Sequence, residues 1–375
     1  MKSEPITIQQ LFQDRRQYRV PFYQRSYKWT LEEQWEQLWD DIREKAEARA
    51  SNREVTPHFL GALVLEPQKK DGFIGVDVIH IIDGQQRITT LQFVLASIRL
   101  VLEKAGLASF VNVVTTCLRN GNPETMRNPK LEAFKVWPSF RDRTNYTLAL
   151  EAQSLEELRL RFPAYFTQAG DLRKVAVEHP PALAALWYFT RWIEEWIHQD
   201  KEKASSRAEA LISAVLRDLK VVTIVLEADD DAQIIFETLN GRGAQLHATD
   251  LIRNFLFMRA DSDGADSENL YNTHWLPFEA EEWSEEQRRG RLKKPRLEWL
   301  IHTSLQAELH EEIDLARLYF EYRRFAAGGG SPLSAEKQLL TLGEYAKHYK
   351  ELVNGSGSTP IARFVRRIAP FDVRT

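Results

Sequence analysis

Apolar positions along the chain switch between a period of two and a period of three to four. The clearest switch lies in the first quarter. The apolar β-branched run of residues 78–82 stops at Asp83-Gly84, then Gln85-Gln86-Arg87 leads into Ile88, Leu91, Val94, Leu95, Ile98 and Val101 at helical spacing. That pattern predicts a strand, a sharp turn and a helix running to about Lys104 with one buried side, and Gly106 as its stop. Upstream, residues 59–65 read as a partner strand, 69–72 as a hairpin turn and 73–82 as the return strand. Residues 5–20 read as an extended entry and a short helix resting on Ile6, Ile8, Leu11 and Phe12. Thr30 and Glu33 have capping-box spacing ahead of a stripe of Leu31, Trp35, Leu38, Trp39 and Ile42, and the polar residues 44–57 end that helix.

Residues 107–150 carry no clean period and read as an irregular segment or a strand pair. Further on, the stripe of Leu186, Phe189, Trp192, Ile193 and Trp196 predicts a core helix over 182–197, residues 205–219 another, and residues 221–226 a buried strand. Asp229, Asp230 and Asp231 read as the N-terminal acids of a helix holding Ile234, Ile235, Phe236 and Leu239. That helix breaks at Asn240-Gly241-Arg242-Gly243, and another starts near Ala248. Beyond residue 260 the pattern is helical throughout, interrupted at Pro277 and Pro295. The expected class is α+β: a mixed core over residues 1–260 with helical insertions, then a large helical extension over 261–375.

Length and composition fit this picture. A chain of 375 residues holds two domains or one large domain with an appendage, and 43% hydrophobic with 28% charged residues is ordinary for a folded soluble protein. Net charge is −4, so any surface for nucleic acid must be local. The single cysteine, Cys117, excludes an internal disulfide and a cysteine-rich metal site and fits a reducing cytoplasm. No apolar run reaches membrane-spanning length, and the N-terminus lacks the apolar core of a signal peptide.

Four stretches carry candidate chemistry. At Asp83-Gly84-Gln85-Gln86-Arg87 a helix N-terminus and an arginine meet at one mouth, which suits an anion such as phosphate, while Asp83 could hold a metal ion or merely cap the helix. Between residues 11 and 30, five basic residues and one acid are interleaved with Tyr18, Phe22, Tyr23, Tyr27 and Trp29; such a stretch can face phosphates and bases, or form a β-edge with its rings inward. Gly241 and Gly243 let the backbone approach a ligand, Arg242 could clamp a phosphate, Asn240 could hold a ribose, base edge or hydrated metal, and Asp250 and Arg253 could simply pair with each other. Residues 288–296 hold six basic residues and no acid, either a solvated loop or a contact for a DNA backbone.

Three of these stretches, in order, resemble the signature blocks of GmrSD-type restriction proteins, whose N-terminal domain has a ParB/sulfiredoxin-like fold. The blocks are Val20-Pro21 through Tyr23-Gln24-Arg25 to Trp29, the DGQQR run 83–87, and Phe236 through Asn240-Gly241-Arg242-Gly243 to Asp250-Leu251 and Arg253-Asn254. The resemblance implies an NTP-hydrolysing domain (GTP or ATP, with Mg²⁺) of a modification-dependent restriction system acting against phage. Phosphorothioate-sensing SspE-like proteins and glucosylated-cytosine enzymes are the two models. In its terms Asp83 positions Mg²⁺ or water, and Gln85, Gln86 and Gln24 orient nucleotide or water. Arg87 and Arg25 neutralise phosphate charge, while Gly84, Asn240, Arg242, Asp250 and Arg253 complete the nucleotide site. Pro21, Tyr23, Tyr27, Lys28 and Trp29 are the candidate contacts for modified DNA. A non-hydrolysing DNA- or nucleotide-binding module is the alternative. Expected partners are modified DNA and a nuclease domain or subunit, with a homo-oligomer open and no membrane. Fuller members of the family carry a C-terminal HNH nuclease; no His-Asn-His cluster, Walker A, H-E-x-x-H or G-x-S-x-G motif is present, so the chain is expected to lack the nuclease or to be part of a longer protein.

Overall fold

A six-stranded mixed sheet organises the first part of the chain. In the computed structural model, residues 2–69, 72–173, 179–227, 230, 247–328, 333–355 and 358–368 are described. The chain divides into two units, residues 1–236 and 237–375, and the helix Ala248–Ser262 lies in the second.

The first unit runs β1 (Lys2–Thr7), α1 (Ile8–Gln13), β2 (Arg16–Arg19), α2 (Glu36–Ala50), β3 (His58–Pro67), β4 (Asp77–Asp83), α3 (Gln85–Lys104), α4 (Ala108–Leu118), β5 (Val136–Trp137), then, among the described residues, four α-helices, and closes on β6 (Leu219–Val225). Spatial order is β1-β6-β3-β4-β2-β5. β1 with β6 and β3 with β4 are antiparallel; β6 with β3, β4 with β2 and β2 with β5 are parallel. β4 is therefore an interior strand, and its end is where Asp83 emerges.

α3 is the core of this unit. Every residue from Ile88 to Leu102 is buried, not one side as the period suggested. The helix is covered by α4 and by the helix Pro181–His198, so its polar residues need internal partners. Gln92 Nε2 donates to the Cys117 carbonyl, Ser97 Oγ to the Leu186 carbonyl, and the Arg99 guanidinium to the carbonyls of Leu150 and Ala152. Positive φ at Gly106 follows its last turn, as expected.

Two local expectations change. Thr30 precedes α2's wide π-helical first turn, Leu31–Trp35, without a side-chain cap; its amide donates instead to Gln34 Oε1 at 3.0 Å. The capping box belongs to Thr7 and Gln10 at the start of α1. α2 also continues through the polar residues after Glu44 to Ala50, because Ala46 still packs in the core and Arg49 is held by Asp218.

The second unit is helical around Phe257, Tyr271, Trp275 and Phe278, with one exception to the all-helical expectation. Residues expected as a loop form an antiparallel hairpin, β7 (Glu286–Arg289) and β8 (Leu292–Pro295), ahead of the helix Arg296–Leu309. Among the described residues, no helix is long and apolar enough to cross a membrane.

Candidate functional site

The turn from β4 into α3 is possible only with glycine. Gly84 has φ +93°, and a Cβ there would overlap Leu63 Cδ2 and lie 3.1 Å from the Ala62 carbonyl oxygen. A second glycine faces it across the hairpin. Gly61 in β3 has φ +106°, and a Cβ there would come within 3.0 Å of the Arg87 guanidinium. The pairing of β3 with β6 slips in register between Phe59 and Ala62, a bulge at this glycine. Arg87 uses the space: its Nη1 donates to the Ala62 carbonyl at 2.6 Å. Burial lowers the Arg87 pKa, opposed by the charge of Asp83. Gly61 was not a candidate from sequence, although an isolated glycine in an apolar strand is the usual sign of a bulge.

The three glutamines bring the first and second blocks together. Gln24, buried, donates from Nε2 to the Ile81 carbonyl at 2.8 Å, fastening the 21–30 segment to the end of β4. Gln85 Nε2 donates to the Arg25 carbonyl at 3.1 Å. Gln86 uses both ends of its amide: Nε2 donates to the Ser26 carbonyl at 3.2 Å and Oε1 accepts from the Lys28 amide at 2.7 Å. These side chains were expected to orient a nucleotide or a water; in the structure their amides satisfy backbone groups of a segment that has no secondary structure of its own.

The aromatic residues of that segment divide. Tyr23 and Tyr27, expected to meet a DNA mark, are both buried at 5% exposure. Tyr27 is a core residue: its hydroxyl lies 2.5 Å from Thr90 Oγ1, accepts from Trp35 Nε1 at 2.8 Å, and its ring meets Phe93 edge-on. Burial raises its pKa, since the phenolate could not be solvated there. Pro21 is buried too. Trp29 is half-buried against the core, Arg25 is half-buried, and Lys28 is exposed. Behind the segment stands Asp142, which no local pattern marked. Its carboxylate accepts from the Tyr27 amide at 2.8 Å and the Ser139 hydroxyl at 2.6 Å; burial raises its pKa while these two bonds and the charges of Lys28 and Arg141 oppose the shift.

Of the third block, Asn240 and Arg242 lie outside the described residues. Asp250 and Arg253 are described within the second unit, where they pair. Arg253 Nη2 donates to Asp250 Oδ1 at 2.8 Å and Nη1 to Glu279 Oε1 at 3.4 Å, and the Tyr271 hydroxyl donates to the same Glu279 oxygen at 2.6 Å. Only 9% of the Arg253 side chain is exposed. A polar contact of this kind holds the first turn of the helix Ala248–Ser262 against its neighbours.

The site thus offers one carboxylate, Asp83, one fixed arginine, Arg87, and the first amides of α3. Among the described residues no group of three or more His, Cys, Asp or Glu side chains is arranged to hold a metal ion. Mg²⁺ commonly needs only one or two carboxylates when phosphate oxygens and waters supply the rest, so Asp83 is a sufficient protein donor for it.

The family model of the GmrSD restriction endonuclease N-terminal domain matches residues 8–257, two thirds of the chain. No curated protein matches it significantly. The chain belongs to the GmrSD N-terminal domain family, and that membership places it in a restriction system of defence against foreign DNA.

Proposed function

We propose that this domain binds and hydrolyses a nucleoside triphosphate, GTP or ATP, at the N-terminal end of α3, and that the state of the site, coupled to a modified DNA such as phosphorothioate DNA, controls a nuclease domain or subunit. The reading rests on one observation above others: Gln24, Gln85 and Gln86 tie the first sequence block to the second, so that Asp83, Arg87 and the Arg25 backbone are gathered at one helix end. A helix N-terminus favours anions, and a fixed guanidinium beside it favours phosphate.

Asp83, with phosphate oxygens, would hold Mg²⁺, which on binding would draw charge from the β- and γ-phosphates. Water attacks the γ-phosphorus as the bond to the β–γ bridging oxygen breaks, leaving inorganic phosphate and the diphosphate. Charge developing on those oxygens is met by Arg87, already desolvated and fixed, and by the Arg25 side chain, for which no hydrogen bond or ion pair is seen among the described residues. The glutamines act as the frame of the site, not as ligands.

A second reading, a recognition module that binds without turnover, draws support from the same glutamines. Their amide nitrogens are all committed to backbone carbonyls, and Gln86 Oε1 to a backbone amide as well, which suits a frame better than a water-orienting group. Phosphate release from GTP and ATP with Mg²⁺, with and without modified DNA, separates the two for wild type, Asp83→Ala and Arg87→Ala. Turnover that falls at least 10²-fold in Arg87→Ala, about the cost of removing one charge-stabilising donor, supports hydrolysis. Wild-type turnover in Asp83→Ala overturns it, and nucleotide binding without release in the wild type supports the recognition module.

A further inference from the structure

Residues 286–295 form a two-stranded ribbon in which some cations are engaged by the helices beside it and others are not. At the root the cations are matched: Arg296 pairs with Glu285 at 2.7 Å and Lys294 with Glu298 at 2.7 Å. The ribbon is also docked through Gln287 and through Arg289, the residue beside the turn. Arg289 lies over the Trp299 ring, its Nη2 donates to the Tyr349 hydroxyl at 2.9 Å, and Trp299 Nε1 donates to the Gln287 carbonyl at 2.9 Å. The remaining cations are not engaged in this way. Arg288 and Arg291 are exposed and have no acidic partner among the described residues; Lys293 is exposed and meets only the exposed Glu286. Gly290, with φ +59°, makes the reversal, and Leu292 beside it is 50% exposed.

Two features of the tip cost stability in isolation. Arg288 stands directly opposite Lys293 in the register, and like charges across a strand pair repel. An apolar side chain stands in water next to them. A polyanion removes the first cost and an apolar groove wall the second. We propose that the β7–β8 hairpin is a wing that lays Arg288, Arg291 and Lys293 against the phosphate backbone of duplex DNA. A two-stranded ribbon is narrow enough for the major groove, and phosphate contacts of this kind position a protein without reading sequence. The choice of DNA as the polyanion rests on the chain's place in a restriction system; the surface itself is independent of the nucleotide site in the first unit.

The test is equilibrium binding of the full chain to an unmodified 20-base-pair DNA duplex across a salt series, comparing wild type with Arg288→Ala/Arg291→Ala and Arg288→Glu/Arg291→Glu. Each phosphate contact contributes about −0.9 to the slope of log K against log salt. Loss of two contacts is expected to flatten the slope by roughly 1.8, with the glutamate variant binding more weakly still. Both arginines are exposed, and removing Arg288 relieves its repulsion from Lys293, so thermal midpoints should not fall below wild type. An unchanged slope and affinity, absence of wild-type binding at low salt, or a loss confined to a matched RNA duplex would overturn the proposal. Phosphate release measured on the same variants keeps the two readings apart: a failed nucleotide site leaves the salt slope as evidence, and a failed wing leaves turnover intact.

Discussion

Arg87 Nη1 donates to the carbonyl of Ala62 at 2.6 Å, across a gap bounded by two glycines, Gly61 and Gly84. The contact joins the helix start to β3, two residues before Val64, the partner of Asp83 in the sheet, so the guanidinium is part of the turn before any ligand arrives. Arg87→Lys keeps the charge but loses the planar fork. We expect it to destabilise the fold by about 1 kcal/mol, the net worth of one such bond, and to lower turnover far more than this stability loss explains. Chemical denaturation beside phosphate-release kinetics checks the split.

Gly84→Ala forces a Cβ onto Leu63 and places a non-glycine residue at φ +93°. Loss of about 1–3 kcal/mol is expected for such backbone strain. Gly61→Ala meets the more movable Arg87 guanidinium, so its cost in the denaturation midpoint should be smaller while its effect on the site is comparable. Equal midpoints for the two variants would contradict this ordering.

Tyr27→Phe removes the hydroxyl that serves Thr90 Oγ1 and Trp35 Nε1. Trp35 Nε1 is then buried without an acceptor, at a cost of about 1–3 kcal/mol. A Tyr27 that instead served as a surface contact for DNA would give a variant with wild-type stability and weakened DNA binding. Urea titration followed by tryptophan fluorescence distinguishes them.

His80, paired with Arg19 in the β4–β2 register, has its pKa pushed down to about 4, first by burial and then by the charge of Arg19. The unfolded chain takes up this proton near 6.5, whereas the folded chain resists it until near 4. Folding stability should therefore fall as pH drops from 6.5 toward 4 and level off below. The side chain keeps 32% exposure, so solvent limits the effect to about 1 kcal/mol. In His80→Gln the stability profile over that window should flatten.

Arg253→Met leaves Asp250 and Glu279 facing each other without the cation between them. Breaking such a pair costs about 3–5 kcal/mol when fully buried, and hydrogen exchange should show early opening of the helix Ala248–Ser262. Arg253→Lys, which keeps a charge, should fall between the variant and wild type.

Secondary structure was largely legible because period and burial agree wherever one face of an element is covered. Within 59–104 apolar spacing marks two strands and the helix, although the return strand begins at Asp77 and not at residue 73, and the expected turn at 69–72 lies partly outside the described residues; the DGQQR residues identify the family by type and order. Burial of α3 on all sides was not legible, since Gln92, Ser97 and Arg99 read as surface until Cys117, Leu186, Leu150 and Ala152 supply their partners from distant positions. The hairpin 286–295 was not legible for the opposite reason: six of its ten residues are charged and Leu292 is its one large apolar side chain, so no apolar alternation marks it, and pairing depends on the docking of Arg289 and Gln287 against Trp299 and Tyr349.

The sequence by itself determined which residues meet at the end of β4, because a glycine at a strand-to-helix turn leaves the chain little choice there. Which way their side chains face was decided only in three dimensions. Gln24, Gln85 and Gln86 carry amides that serve a ligand or a backbone equally well, and the presence of an irregular segment, residues 21–30, with unpaired carbonyls and amides directs them to the backbone. Tyr27 likewise has a ring fit for a base and a core alike; Phe93, Trp35 and Thr90 surround it, and burial of that ring outweighs its exposure.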